Sequence, residues 1–250
     1  MGKSAMKHTL VFAALAFAAV PAFAESKACA IDSDYDVALS PDAITFSRDD
    51  GAPRTLVIHD GSLLVDGREA ALSDADRARV HQFEHDARAL LPEVRAITLE
   101  AVEIAFTAMT EVARGLAPDN TKLQSKLDTS RAELLAQFDQ PEGHFTIDED
   151  AVAASVTRLV GEVTPLLAGE ITTAALAAAF SGNESKAKEI EQRAENMEAD
   201  IEAKVKVRAD ALEARADRLC PKFAALDAID DALAYRLADG RPLNLLRANH

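Results

Sequence analysis

The chain has 250 residues, 48% hydrophobic and 28% charged, which is length enough for one large core or two small ones. Its formal charge of −15 speaks against nucleic acid, whose binding needs Lys and Arg to displace counterions from phosphates, and against anionic membrane surfaces. There is no Trp, and only Tyr35 and Tyr235 carry a phenol, so stacking platforms for sugars or bases are scarce.

Lys3 and Lys7 precede an unbroken run of apolar or small residues, Leu10 to Val20, followed by Ala22-Phe23-Ala24. This is the pattern of a secretory signal peptide over residues 1–24, cleaved after Ala24. Eleven such residues are too few to cross a bilayer as a helix. Cys29 does not read as a lipoprotein cysteine, because Lys27 stands where a small neutral residue is needed. The expected mature protein is therefore Glu25 to His250, periplasmic, without a transmembrane segment. Its charge falls to −17 when the two leader lysines go. Acidity of that size keeps an exported protein soluble and leaves a basic partner or a divalent cation electrostatically allowed.

Cys29 and Cys220 are the only cysteines, one near each end of the mature chain. In an oxidising compartment they most simply pair. The loop of roughly 190 residues so closed is worth about 5 kcal/mol in the chain-entropy picture. Pairing needs Cα atoms within about 7 Å, so the first strand must return to the end of the last long helix. A redox role is the weaker reading, since no Cys-x-x-Cys is present.

From Cys29 to Leu72 the pattern is β. Asp36–Leu39 and Ala43–Ser47 flank Ser40-Pro41-Asp42, a turn signal, and Asp49-Asp50-Gly51 ends the second run. Thr55–His59 and Leu63–Val65 flank Asp60-Gly61, a strong hairpin signal, and Asp66-Gly67 turns the chain again. The expectation is an antiparallel meander of three to five strands, spanning 25–72, too small to stand alone and docked on helices.

At Ser73 the apolar period changes from two to 3.6, and Asp76 three residues on gives a weakened capping box. Val80, Phe83, Ala87, Leu90 and Leu91 share a helix face, and Pro92 is expected to end this helix and start the next. That next helix carries two apolar stripes, Val94 to Val112 and Leu99 to Met109, and should be central. Gly115 and Pro118 close it. Leu123, Leu127, Leu134 and Phe138 mark a further helix, and residues 140–144 a loop. Asp148 to Phe180 is helical with a kink or break expected at Pro165. Glu184 to Leu219 reads as the longest helix, about 54 Å if straight, with a thin stripe suited to coiled-coil or bundle-surface packing. Cys220-Pro221 ends it, and a short helix through Phe223, Leu226, Ile229, Leu233 and Leu237 precedes a frayed tail. The fold class is α+β: an N-terminal antiparallel β-meander docked, as one domain, on a predominantly α-helical bundle (73–250) with one long helix.

Cys29, Asp36-Val37, Ser40-Pro41, Leu56, Ile58, Gly61, Gly67, Leu72, Arg77 and Leu91-Pro92 together resemble the YggN-like family of uncharacterised proteobacterial periplasmic proteins. The similarity is clear from about Cys29 to Val112, and Cys220 looks like the family's second cysteine. The resemblance implies export and a shared architecture; it carries no activity or ligand.

One stretch spells a catalytic motif. His81-Gln-Phe-Glu84-His85 reads H-x-x-E-H, in which two imidazoles four apart can hold Zn²⁺ while Glu84 activates its water. Glu162 could be named as a downstream ligand. Yet Val80, Phe83 and Ala87 define the buried face, so both His should point outward, where a catalytic pocket is least expected. Asp32-Ser-Asp34-Tyr-Asp36 begins like a calcium loop, but Val37 and Ala43 occupy its Gly and Glu positions, and loop polarity explains it better. Asp148-Glu149-Asp150 suits a helix start. His59 and His144 read as lone solvated residues. Pro165 to Phe180 holds a single charge, Glu170, and reads as a buried core helix or as an apolar surface for a partner or membrane.

The reading is an exported, non-catalytic envelope protein without a cofactor, acting through its surface as a binding or chaperone-like module on a protein partner. The alternative is a zinc-dependent hydrolase using His81, Glu84 and His85.

Overall fold

The structure, a computed structural model, describes residues 30–181 and 184–249. The leader, residues 1–24, and Cys29 lie outside the described residues. The order of elements is β1 (Ala30–Asp32), β2 (Asp36–Leu39), β3 (Ile44–Ser47), β4 (Thr55–His59), β5 (Ser62–Val65), β6 (Arg68–Glu69), α1 (Asp74–Leu116), α2 (Thr121–Gln137), β7 (Phe145–Thr146), α3 (Glu149–Ser181), α4 (Glu184–Ile201), a π-helical turn (Glu202–Lys206), α5 (Val207–Asp217), α6 (Cys220–Asp231) and β8 (Arg247–Asn249). This is the expected α+β arrangement. The chain divides into two compact units. Among the described residues, one comprises 30–95, 140–147 and 213–249; the other comprises 96–139, 148–181 and 184–212.

In the first unit, alternation places Ile44, Phe46, Leu56 and Ile58 on one face of the sheet, and all four are buried. They stand opposite one another across the β3–β4 ladder, Ile44 to Ile58 and Phe46 to Leu56. The ring of Phe46 meets Tyr35 edge-on and lies 6.2 Å from Phe83 of α1, so the sheet closes its core on the first turns of that helix. Both Asp-Gly pairs turn with two positive φ angles, Asp60 at 46° and Gly61 at 72°, Asp66 at 48° and Gly67 at 76°. That geometry matches the twist of the flanking strands. A side chain at Gly61 would also meet the Arg77 carbonyl oxygen and the His81 Cβ at 3.3 Å, so this hairpin can lie against α1 only without one.

The sheet is larger than the meander read from sequence. Its order is β6-β5-β4-β3-β2-β7, six strands, all neighbours antiparallel. The edge strand β7 follows the 140–144 loop and pairs with β2, Leu39 opposite Phe145. Conversely, β1 leaves the meander altogether and pairs with β8 at the other end of the chain.

Ser73 caps α1 as expected, its Oγ accepting the Asp76 amide at 3.1 Å. Pro92 does not end the helix. α1 runs unbroken through it for 43 residues and is the longest helix, a place the sequence assigned to Glu184–Leu219. Proline's fixed φ is helical, and what it removes is one amide bond to the Arg88 carbonyl. Burial of Leu90 and Val94 on either side outweighs that loss. At Pro165, the place of the expected kink or break, α3 continues without a break to Ser181.

The frayed tail is likewise absent. Past α6 the chain forms a strap in which Leu233, Leu243, Leu245 and Leu246 are buried. Three carboxylates hold its backbone. Asp76 Oδ1 accepts the Ala234 amide at 3.0 Å, Asp230 Oδ2 the Leu245 amide at 2.6 Å, and Asp227 Oδ2 the Ala248 amide at 3.0 Å. The apolar positions of the strap explain why it folds: leaving four leucines in water would cost several kcal/mol.

In the second unit, Asn120 caps α2 by accepting the Leu123 amide, and Leu123, Leu127, Leu134 and Phe138 are buried as the stripe predicts. The latter part of α1 is bound by ion pairs, Arg131 to Glu103 from α2, Arg208 to Glu100 from α5 and Lys204 to Glu111 from the π-helical turn. Gly115 serves as a contact point: a Cβ there would stand 2.7 Å from Met197 Sδ.

Replacing exposed Pro92 by Ala restores the missing amide donor in mid-helix. Pro92→Ala should raise stability in urea by about 1 kcal/mol or more. A lower unfolding midpoint would show that the proline is needed where it stands.

Candidate functional site

The histidine motif lies on the first half of α1. His81 and His85 are exposed, and Glu84, between them in sequence, is buried. A helix explains the split, since positions four apart share a face and position three apart is offset toward the core. The Glu84 Oε1 accepts two bonds from Arg88, 2.8 Å from Nη2 and 3.1 Å from Nε. Arg88 in turn donates through Nη1 to the Ser40 carbonyl. The carboxylate that would have to activate a metal-bound water is therefore spent on fastening α1 to the β2–β3 turn. His81 and His85 share a face as two candidate nitrogen donors. Among the described residues no group of three or more His, Cys, Asp or Glu side chains is placed to hold a metal ion. Glu162 belongs to α3 in the other unit and is ion-paired with Lys126 at 3.0 Å.

The acidic run at 32–36 has a different occupant from the calcium weighed above. Arg247 on β8 binds Asp32 at 2.7 Å and Asp34 at 2.9 Å. These bonds to Asp34 and Asp32 push the guanidinium further above its ordinary pKa, so it stays charged. Ser33, buried between the two acids, donates its hydroxyl to the Leu245 carbonyl at 2.6 Å. Asp148 caps α3 by accepting the Ala151 amide at 2.8 Å. The His59 Nδ1 is hydrogen-bonded to the Asp42 carbonyl, and the His144 Nδ1 lies 3.3 Å from the Glu142 carbonyl.

Cys220 is the first residue of α6. Its expected partner, Cys29, falls outside the described residues.

The segment Pro165 to Phe180 is described in part. Pro165 to Gly169 is half-buried to exposed. One stretch of α3, Asp150–Gly169, is long and apolar enough to cross a membrane by length and composition, with 11% of it buried. It also carries Arg158 and Glu162, which pair with Glu133 and Lys126 of α2, and Leu159 between them is buried. One face of α3 is thus seated on α2, and Val160 on another is 41% exposed.

Sequence reasoning missed the buried carboxylates that grip the strap. Asp76 was read as a cap alone, whereas it is also the acceptor for Ala234. Burial pushes its carboxyl up, but the Ala234 amide, the Ser73 hydroxyl and Arg79 together outweigh this and hold it below the usual carboxylate range. The signal available was Leu243-Asn-Leu-Leu246, an apolar cluster in a segment otherwise polar.

A six-stranded antiparallel sheet closed on a long helix, with strands β1 and β8 paired beside it, is the architecture in which the residues of the first unit sit. The chain belongs to the family DUF2884, described as proteins of unknown function, whose profile matches residues 29–246. It is similar to the uncharacterized protein YggN of Escherichia coli strain K12, 24% identical over 135 residues, covering 54% of this chain and 55% of that protein. The YggN proteins of the O6:H1 and O157:H7 strains match to the same extent. The chain thus spans about half the length of the curated relatives it matches. No solved structure matches.

If Glu84 is a fastening residue, Glu84→Gln should lower stability by about 1–3 kcal/mol, because Arg88 loses its charged partner at a largely buried site. Equilibrium urea unfolding reads this directly. An unchanged midpoint would return Glu84 to the list of groups free for other work.

Proposed function

We propose that this protein is an exported, non-catalytic component of the cell envelope that acts as a binding or chaperone-like module for other proteins. The observation that carries this reading is α3. Its stretch Asp150–Gly169 is apolar, yet only 11% of it is buried. The side of α3 turned away from α2 presents Val160, 41% exposed, among small residues, and that side is offered to another molecule. The ion pairs from Arg158 and Glu162 to α2 favour a protein partner over a lipid one, since a bilayer would take those charges from water.

Export rests on the leader pattern and supports the cysteine pairing. Asp230 grips Leu245 and Asp227 grips Ala248, so the strap runs antiparallel to α6, toward the end that starts at Cys220. β1 is antiparallel to β8, with Ala30 opposite Asn249, which carries its first residue toward that same end. Cys29 is the residue before Ala30. A Cys29–Cys220 disulfide fits this course.

The zinc-hydrolase reading draws no support from the geometry, because Glu84 is held by Arg88 rather than presented between the histidines.

Intact mass of the protein recovered from the periplasm should begin at Glu25 and rise by two mass units on reduction. A mass retaining residues 1–24, or one that reduction leaves unchanged, overturns the export or the pairing respectively. The function itself is read by light scattering as a chemically unfolded client is diluted into buffer. The wild type should suppress scattering at near-equimolar ratio, and Val160→Asp, on the exposed side of α3, should weaken this several-fold. Absence of suppression by the wild type would remove the chaperone-like reading.

A further inference from the structure

Asp230 is the least expected side chain in the first unit. It is 2% exposed, and while its Oδ2 accepts the Leu245 amide, its Oδ1 has no hydrogen-bond partner. It sits in the last turn of α6, where the helix dipole disfavours an anion. No Lys or Arg is bonded to it among the described residues. The charged groups around it are Asp227 and Asp231 on α6. Across the strap, Arg247 is committed to Asp32 and Asp34; on α1, Asp76 is bonded to Ala234 and Arg79. A buried carboxylate so placed is tolerated when neutral and is costly when charged.

We propose that the C-terminal strap, residues 243–249, is a proton-gated latch: it stays closed on α6 and β1 while Asp230 is neutral, and is released as Asp230 ionises. Release would uncover Leu243, Leu245 and Leu246 and free the edge of β1 for pairing with another extended segment. The direction follows from linkage. Burial pushes the Asp230 carboxyl up to about 7, against the pull of the Leu245 and Leu246 amides and with Asp231 and Asp227 adding to the push. The closed form therefore holds its proton more tightly than the open form. Its advantage is full below the ordinary carboxylate range, declines as pH rises, and is gone once pH passes about 7. Asp76 acts in the opposite sense, but it grips Ala234, ahead of the latch, and that grip weakens only in acid.

Hydrogen exchange of the purified protein, corrected for intrinsic rates, tests the latch. Between pH 5 and pH 8 opening at the Leu245, Leu246 and Ala248 amides should rise about tenfold or more. The amides of β3 and β4 around Ile44 and Ile58 should keep their protection. Asp230→Asn, neutral and of the same shape, should abolish the rise while leaving the strap closed. Three results would each overturn the proposal: constant strap protection in the wild type, a parallel loss in β3 and β4, or the same rise in Asp230→Asn. Should the variant not fold, the wild-type comparison of strap against sheet decides alone.

Discussion

The first unit depends on the pairing of its first and last strands, β1 and β8. β1 and β8 are each three residues long, and a ladder that short would not persist in water by itself. It persists because the cross-strand pair Asp32 and Arg247 is an ion pair at 2.7 Å, because Ser33 hands its hydroxyl to Leu245, and because α6 offers carboxylates to the strap's amides. Each of these contacts joins residues more than two hundred positions apart in sequence or bridges α6 to the last residues of the chain. The sheet is closed on α1 by Phe46 and Phe83; the strap is what closes the remainder.

Carboxylates do most of the polar joining. An acidic chain has few cations to spare, and the cores of this one are fastened by Asp side chains accepting backbone amides. Such bonds satisfy donors that irregular segments would otherwise bury unpaired. Arg88, Arg131, Arg208 and Arg247 make further junctions, each binding carboxylate oxygens through more than one nitrogen or more than one acid. The sign of the net charge thus reflects how the molecule is built as much as what it repels.

Local features were legible in the sequence and non-local ones were not. The Asp60-Gly61 and Asp66-Gly67 hairpins, the Ser73 cap and the Leu123–Phe138 stripe are written within a few residues of where they act. Pro92 misled because a proline's local cost is fixed, whereas the packing that outweighs it depends on distant residues. β7 is two residues long and has no period to read. β1 and β8 became partners through register set across the whole chain. Of the candidate site, the outward aim of His81 and His85 followed from Val80, Phe83 and Ala87. The commitment of Glu84 to Arg88, and of Arg88 to Ser40, required knowing that the β2–β3 turn lies against α1. Asp230 escaped because an aspartate beside another aspartate reads as surface.

The π-helical turn at Glu202–Lys206 accommodates one residue more than the α-helical geometry on either side of it. Side chains beyond it are displaced by about 100° around the axis relative to an uninterrupted α-helix; within the turn Val205 is buried, and Val207 just after it is 65% exposed. The rod formed by α4 and α5 is therefore two phases spliced together. Deleting one residue inside the splice would relax it to regular α-helix and leave both flanks facing as they do now; a deletion elsewhere along the rod would swing one flank off its seat. Length variation among related chains should accordingly be absorbed at this one turn.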